Sequence, residues 1–272
     1  MSDRLRLMGV FAHPDDESLG TGGVLARYAL EGVETYVVTA TRGQKGRYKD
    51  NTNRPDEEVG RIRERELRSA AAVLGVREVT LLDYIDGELD RADPHEVIAR
   101  IAAELRRLRP DVLMTFAPDG AYGHPDHIAI SQFTTAATVA AAVPDASIEG
   151  EPHAVTKLYY IAWPEPKWNA YEAALKKLVS RVDGQEREVV PWRDWAITTV
   201  IDTSEHWPTV WRAVQCHESQ MSIYSKLADL SPEHHRGLWG TQEFYRAFSR
   251  VNGGRSREAD LFAGLRSPGV MR

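Results

Sequence analysis

Leu5-Arg6-Leu7-Met8-Gly9-Val10-Phe11 runs straight into Ala12-His13-Pro14-Asp15-Asp16-Glu17, an apolar stretch that ends on an imidazole and three carboxylates. The apolar part reads as a buried strand. The crowded charge after it belongs to a site, because a core cannot hold so many ionisable groups without partners. The pattern recurs downstream, where Val112-Leu113-Met114-Thr115-Phe116 leads into Ala117-Pro118-Asp119-Gly120-Ala121-Tyr122-Gly123-His124-Pro125-Asp126-His127. Ligands of an open α/β sheet bind beyond the carboxyl ends of its strands, so these two strand ends can converge at one edge although they are far apart in sequence.

Strand-like runs at 5–11, 34–41, 79–82 and 112–116 alternate with helical patterns at 20–31, 57–74, 94–108 and 125–143. That alternation predicts a doubly wound, parallel α/β sheet. The third helix carries the clearest signals: Pro94 follows Asp93 at the start, and Val97, Ile98, Ile101, Ala102, Leu105 and Leu108 keep a 3.6-residue period. Further strands are expected at 155–163 and 196–201, with Thr203 or Ser204 capping a helix that runs toward His217. Helices and loops are expected beyond Ser231. Residues 42–55 form a polar loop over the same strand-end face and carry Arg42, Lys45, Arg47 and Lys49, four cations near the expected pocket mouth.

The 272 residues are read as one domain, 42% hydrophobic and 27% charged, the composition of an ordinary globular protein. A net charge of -6 disfavours a phosphate-backbone partner. Cys216 is the only cysteine, so neither an intrachain disulfide nor a thiolate zinc finger can form, and any metal must be held by His and carboxylate. The apolar run before His13 is too short for a signal peptide, and no segment reaches the roughly 18 apolar residues of a membrane span. A cytoplasmic location is the expectation.

A catalytic zinc usually takes three protein ligands and leaves a position for water. His13, Asp16 and His127 supply such a set. Asp15, beside a ligand, suits a general base. His124 suits the acid for a leaving amine, with Asp126 orienting it, and Tyr122 offers a phenolic donor to an oxyanion or a packing ring. Glu17 instead starts a helix and can bond backbone or a ligating His. Each half has a plainer reading: Asp15-Asp16-Glu17 as an acidic first helical turn, the two histidines as surface residues. Gly20-Thr21-Gly22-Gly23 lacks the GxGxxG spacing of a dinucleotide site, and close helix-to-sheet packing explains it. Glu233-His234-His235 is read as a solvated helix start, and most of the seven Trp as core.

AHPDDE (12–17) with GHPDH (123–127) closely resembles the zinc-dependent N-deacetylases of the PIG-L, or LmbE-like, family. Further family-like pieces are Arg63 before Glu66-Leu67, Leu74-Gly75-Val76, Asp86-Gly87-Glu88-Leu89, His217-Glu218-Ser219-Gln220, and residues 258–265. The resemblance implies His13, Asp16 and His127 as zinc ligands, Asp15 as base, and His124 as protonated acid and transition-state stabiliser. It implies that Tyr122 contacts the oxyanion and that Arg63 and Asp86 contact the sugar or its aglycone. One departure is Gly43-Gln44-Lys45-Gly46-Arg47, where mycothiol-pathway members carry an acidic loop.

The expected protein is thus a Rossmann-like α/β hydrolase, an open and mostly parallel sheet flanked by helices with its site at the strands' carboxyl ends. It uses Zn²⁺ to remove the N-acetyl group from an N-acetylglucosamine-type conjugate. Rival readings are an amidase acting on a larger glucosamine-linked thiol conjugate and a non-catalytic nucleotide-binding module. The expected partner is a small N-acetylated amino-sugar, not nucleic acid, and a homo-oligomer is left open.

Overall fold

The computed structural model describes residues 4–46, 48, 54–175, 179–182, 184–254 and 256–266; Arg47 and Lys49 lie outside the described residues. The chain runs β1 (Arg6–Phe11), α1 (Asp16–Leu30), β2 (Glu34–Thr41), α2 (Asp56–Leu74), β3 (Glu78–Tyr84), α3 (Pro94–Leu108) and β4 (Val112–Thr115). A single turn, α4 (Gly120–Gly123), then precedes α5 (Pro125–Ala142), β5 (Lys157–Ile161), α6 (Glu165–Leu175) and a hairpin of β6 (Val179–Val182) and β7 (Gln185–Glu188). The remainder is β8 (Thr199–Asp202), α7 (Trp207–Gln215), the turn α8 (Met221–Tyr224), α9 (Pro232–Trp239) and β9 (Thr241–Ser249).

The main sheet has the order β3-β2-β1-β4-β5-β9-β8. Its first five strands are parallel, whereas β9 runs antiparallel to both β5 and β8. Leu7, Met8, Val10 and Phe11 of β1 are fully buried, as expected for a parallel strand covered on both faces. Helices α1, α2 and α7 pack together, and α3 packs on α5. Strand order reverses between β1 and β4, which opens a crevice at their carboxyl ends. Both charged segments emerge there. No helix among the described residues is long and apolar enough to cross a membrane.

Helix α3 forms over the predicted residues, with the Asp93 side chain accepting from the His95 N–H. The cap expected for α7 does not form. Thr203 Oγ1 donates instead to the Trp239 carbonyl at 2.6 Å, and α7 begins later, after His206. Strand β9 is the larger difference from the sequence reading, since its Gln242 and Glu243 are polar yet buried. Gln242 accepts from the Val24 N–H at 2.6 Å and donates to the Gly20 carbonyl at 3.1 Å, the two groups that an uninterrupted α1 would join.

This close approach accounts for the glycine cluster of α1. A Cβ on Gly20 would stand 3.3 Å from Ile161 of β5, and one on Gly23 would meet Thr203 Cβ at 2.8 Å. His235 is not solvated as expected: it is buried, donates to the Leu227 carbonyl, and stacks on Trp211 and Trp239. His234 stays exposed. Among the tryptophans, Trp168 and Trp239 are core while Trp195 is 85% exposed.

Candidate active site

β1 delivers His13 to the crevice and α1 begins three residues later with Asp16. Carboxylates in a helix's first turn are favoured by its dipole, and Asp16 is fixed further because its Oδ2 accepts the His13 backbone N–H at 2.8 Å. From β4 the chain passes through Gly120, whose Cβ would meet Ile128 Cγ1 at 2.7 Å, so only glycine allows this turn to fold back on α5. His127 sits in the first turn of α5, its ring stacked on Phe116. His13 Nδ1 and His127 Nε2 face each other at 3.2 Å, and Asp16 Oδ1 lies 3.5 Å from the latter.

Two trios at this point could hold a metal ion: His13, Asp16 and His127, or His13, His124 and Asp126. Occupied lone pairs distinguish them. Asp126 accepts from the Gly87 and Leu89 N–H groups and from His13 Nε2, at 2.7, 3.1 and 3.0 Å, which leaves it little capacity for a cation. The first trio instead brings two imidazole nitrogens and a carboxylate together with only one backbone bond among them. Such a donor set needs a proton or a cation between its lone pairs, and a divalent ion suits it.

Asp126 therefore does not orient His124 as expected. Its carboxylate holds His13, joined by Asp86 Oδ1 at 3.1 Å from the same Nε2. Only the Asp126 backbone N–H reaches His124, donating to its Nδ1 at 3.2 Å. Burial alone would lower the pKa of His13, but these carboxylates push it up to about 10. Burial raises Asp16 to about 7, and it depresses His127, assisted by the neighbouring His13 charge.

Burial and His13 also lower His124 to about 4. With Nδ1 accepting a backbone bond, the neutral ring carries its proton on Nε2 and acts as a donor. The expected resting state, a protonated imidazolium, is thus disfavoured. Tyr122 lies edge-on to His124 and His127, with ring centroids 5.8 and 5.4 Å away. Burial, with the nearby carboxylates, raises its pKa, so it too keeps its proton.

Asp15 has φ 104° and ψ -23°, a strained backbone that costs about 1–3 kcal/mol in a non-glycine residue. Its N–H donates to Glu17 Oε2 at 2.9 Å, and its Oδ2 accepts from Arg63 Nη2 at 3.1 Å and from Tyr224 at 2.8 Å. Glu17 pairs in turn with His217 Nε2 at 2.9 Å, and both are fully buried. Burial opposes each charge, yet the partner lowers Glu17 and raises His217, the signature of an ion pair. Glu17 thus bonds backbone, as one sequence reading allows, and a histidine that is not in the metal trio. Tyr224 has no sequence signal, and His217 has only its family-like setting.

Arg63 and Asp86 are expected at the sugar, but both are committed to protein. Arg63 also donates to the Gly43 and Pro14 carbonyls at 2.7 and 2.6 Å, and Asp86 Oδ2 accepts the Lys45 N–H at 3.0 Å. The two loop cations among the described residues are paired as well, Arg42 with Glu64 and Asp83, and Lys45 with Asp56.

A family model described as GlcNAc-PI de-N-acetylase, PIG-L, matches residues 8–138. A protein from Kineococcus radiotolerans named 1D-myo-inositol 2-acetamido-2-deoxy-alpha-D-glucopyranoside deacetylase is 34% identical, over 96% of this chain and 83% of its own length. One of the same name from Rhodococcus jostii is 33% identical, over 97% and 99%. The chain belongs to the PIG-L family. Among solved structures, the conserved protein TT1542 from Thermus thermophilus is 28% identical with a TM-score of 0.67, covering 93% of this chain and 99% of that one. The family model spans both charged segments together with Arg63 and Asp86. His217 and Tyr224 lie beyond it, within the longer similarity to the relatives.

Proposed function

We propose that this PIG-L family chain is a Zn²⁺-dependent hydrolase that removes the acetyl group from an N-acetylglucosamine joined to inositol or another polyol, releasing acetate and a free amine. One observation carries the reading: a His₂Asp trio with both imidazoles buried, directly beside a carboxylate, Asp15, whose Oδ2 is tied while Oδ1 has no hydrogen-bond partner among the described residues. The names of the relatives support the substrate class. Pairing of Arg42 and Lys45 with neighbouring acids offsets part of the positive charge by which this loop departs from the acidic one.

His13, Asp16 and His127 would hold the ion, which when bound polarises the amide carbonyl and makes water acidic enough to attack near neutral pH. Asp15 takes the water proton on its open Oδ1 and returns it to the departing nitrogen. Tyr122 O–H and His124 Nε2–H donate to the oxyanion, and being neutral donors they act without a change of protonation state. Asp126 and Asp86 hold His13 so that Nδ1 faces the other two ligands.

Acetate release from N-acetylglucosamine, its inositol glycoside and N,N'-diacetylchitobiose tests the proposal on protein of measured metal content. The inositol glycoside should give the largest kcat/KM. Metal-replete protein that releases no acetate from any of them would overturn it.

A further inference from the structure

The strained backbone of Asp15 needs something to hold it, and the brace is built from the second half of the chain. The Asp15 N–H rests on Glu17 Oε2, while Glu17 Oε1 receives His217 Nε2 and Ser18 Oγ at 2.9 and 2.5 Å. No solvent reaches Glu17, Ser18 or His217. His217 follows α7, and its segment is anchored to α2 because both the N–H and the hydroxyl of Ser219 donate to Glu66, each at 2.7 Å. The bonds therefore run from α2 through Ser219 and His217 to Glu17, and end on the peptide that aims Asp15.

We propose that His217 is a positioning residue for the hydrolysis, acting through Glu17 to fix the backbone of Asp15. The proposal rests on the reading of Asp15 as the base. A buried pair that served only folding would have no reason to end on that one strained N–H, since Glu17 could meet its charge with His217 and Ser18 alone.

The test measures kcat, KM and metal content for His217→Leu and His217→Gln, each in the wild-type protein and in Asp15→Asn. His217→Leu should lower kcat about 10–100-fold, with KM within about twofold and the metal retained. His217→Gln, which keeps an N–H donor, should recover most of that loss. In the Asp15→Asn background the Leu substitution should change the residual rate less than about twofold, because what it positions is no longer a base. Equal losses in both backgrounds, or losses confined to KM or metal content, would overturn the proposal. Should His217→Leu fail to fold, Glu17→Asp keeps the charge and shortens the reach to the Asp15 N–H; the same kcat loss, absent in the Asp15→Asn background, is then required. Near wild-type turnover of Asp15→Asn by itself would overturn the underlying reading of the base.

Discussion

The Tyr224 hydroxyl donates to Asp15 Oδ2 at 2.8 Å across 209 positions of sequence. Arg63 uses the same oxygen, so Oδ1 is the one left to accept a proton. Tyr224→Phe removes one donor and almost no volume, and should lower kcat roughly tenfold while KM and metal content hold. Unchanged kcat in that variant would show that Arg63 alone suffices to aim the carboxylate.

Metal stoichiometry separates ligand from base. The wild type should carry about one divalent ion per chain, His13→Ala well under that, and Asp15→Asn a full complement with kcat reduced at least about 100-fold. Elemental analysis of the three proteins decides it, and full metal in His13→Ala would remove His13 from the ligand set.

Metal uptake should release protons. Without metal, His13 titrates at about 10 and Asp16 at about 7, so at neutral pH the first is protonated and the second partly so. An ion must displace these protons, so affinity rises with pH and roughly one to two protons leave per ion at about pH 7. Calorimetry of Zn²⁺ binding in buffers of different ionisation enthalpy counts them. Zero release would contradict the charge state described for His13.

His124 should act as a neutral donor. Burial first, and the His13 charge beside it, lower its pKa to about 4, and on loading a divalent ion would take the place of that charge, so the ring does not titrate across the working range. His124→Ala should therefore lower kcat by about 100-fold at every pH from roughly 6 to 9 and leave the shape of the profile intact. Selective loss of the basic limb would show instead that the imidazolium does the work.

Glu258 ties the segment after β9 to the sheet, receiving Lys157, Tyr159, Thr199, Arg246 and Asn252. Burial opposes its charge, but these donors hold its pKa at about 2, against an ordinary 4.5. A carboxylate depressed on folding stabilises the native state above its unfolded pKa, and that contribution fades as pH falls from about 4.5 toward 2. Glu258→Gln should cost roughly 2–3 kcal/mol at about pH 7, with the gap to wild type closing over that acid window in denaturant melts. A gap independent of pH would mean that shape rather than charge holds the segment.

The parallel half of the sheet was legible because β1, β2 and β4 are largely apolar runs and because Asp93-Pro94 marks a helix start by local chemistry alone. Strand β9 escaped because Gln242 and Glu243 interrupt its alternation, and their burial makes sense only once α1 and Lys167 are beside them. The β6–β7 hairpin escaped for a similar reason, its second strand being Gln185-Glu186-Arg187-Glu188. At the site, residue types at the two strand ends identified the cluster, while adjacency in sequence misassigned Asp126, whose side chain turns from His124 toward His13 at the start of α5. Tyr224 has no local pattern to betray it, and the family-like setting of His217 marks the residue without its role, since each is defined by what it touches from far along the chain.

The side chain of Gln242 that enters α1 also makes the first helix depend on a strand far along the chain. The segment up to His127 carries every candidate ligand together with Glu17 and Arg63, but Gln242, which bridges Gly20 to Val24, and His217 and Tyr224, which complete the setting of Asp15, all come later in the chain. Because domains generally fold as units, the metal trio and the setting of Asp15 are completed together, once the segments that carry His217, Tyr224 and Gln242 have docked. β9, the last strand in chain order among the described residues, is inserted between β5 and β8 and not added at an edge, so the parallel half of the sheet keeps an open side until β9 pairs there.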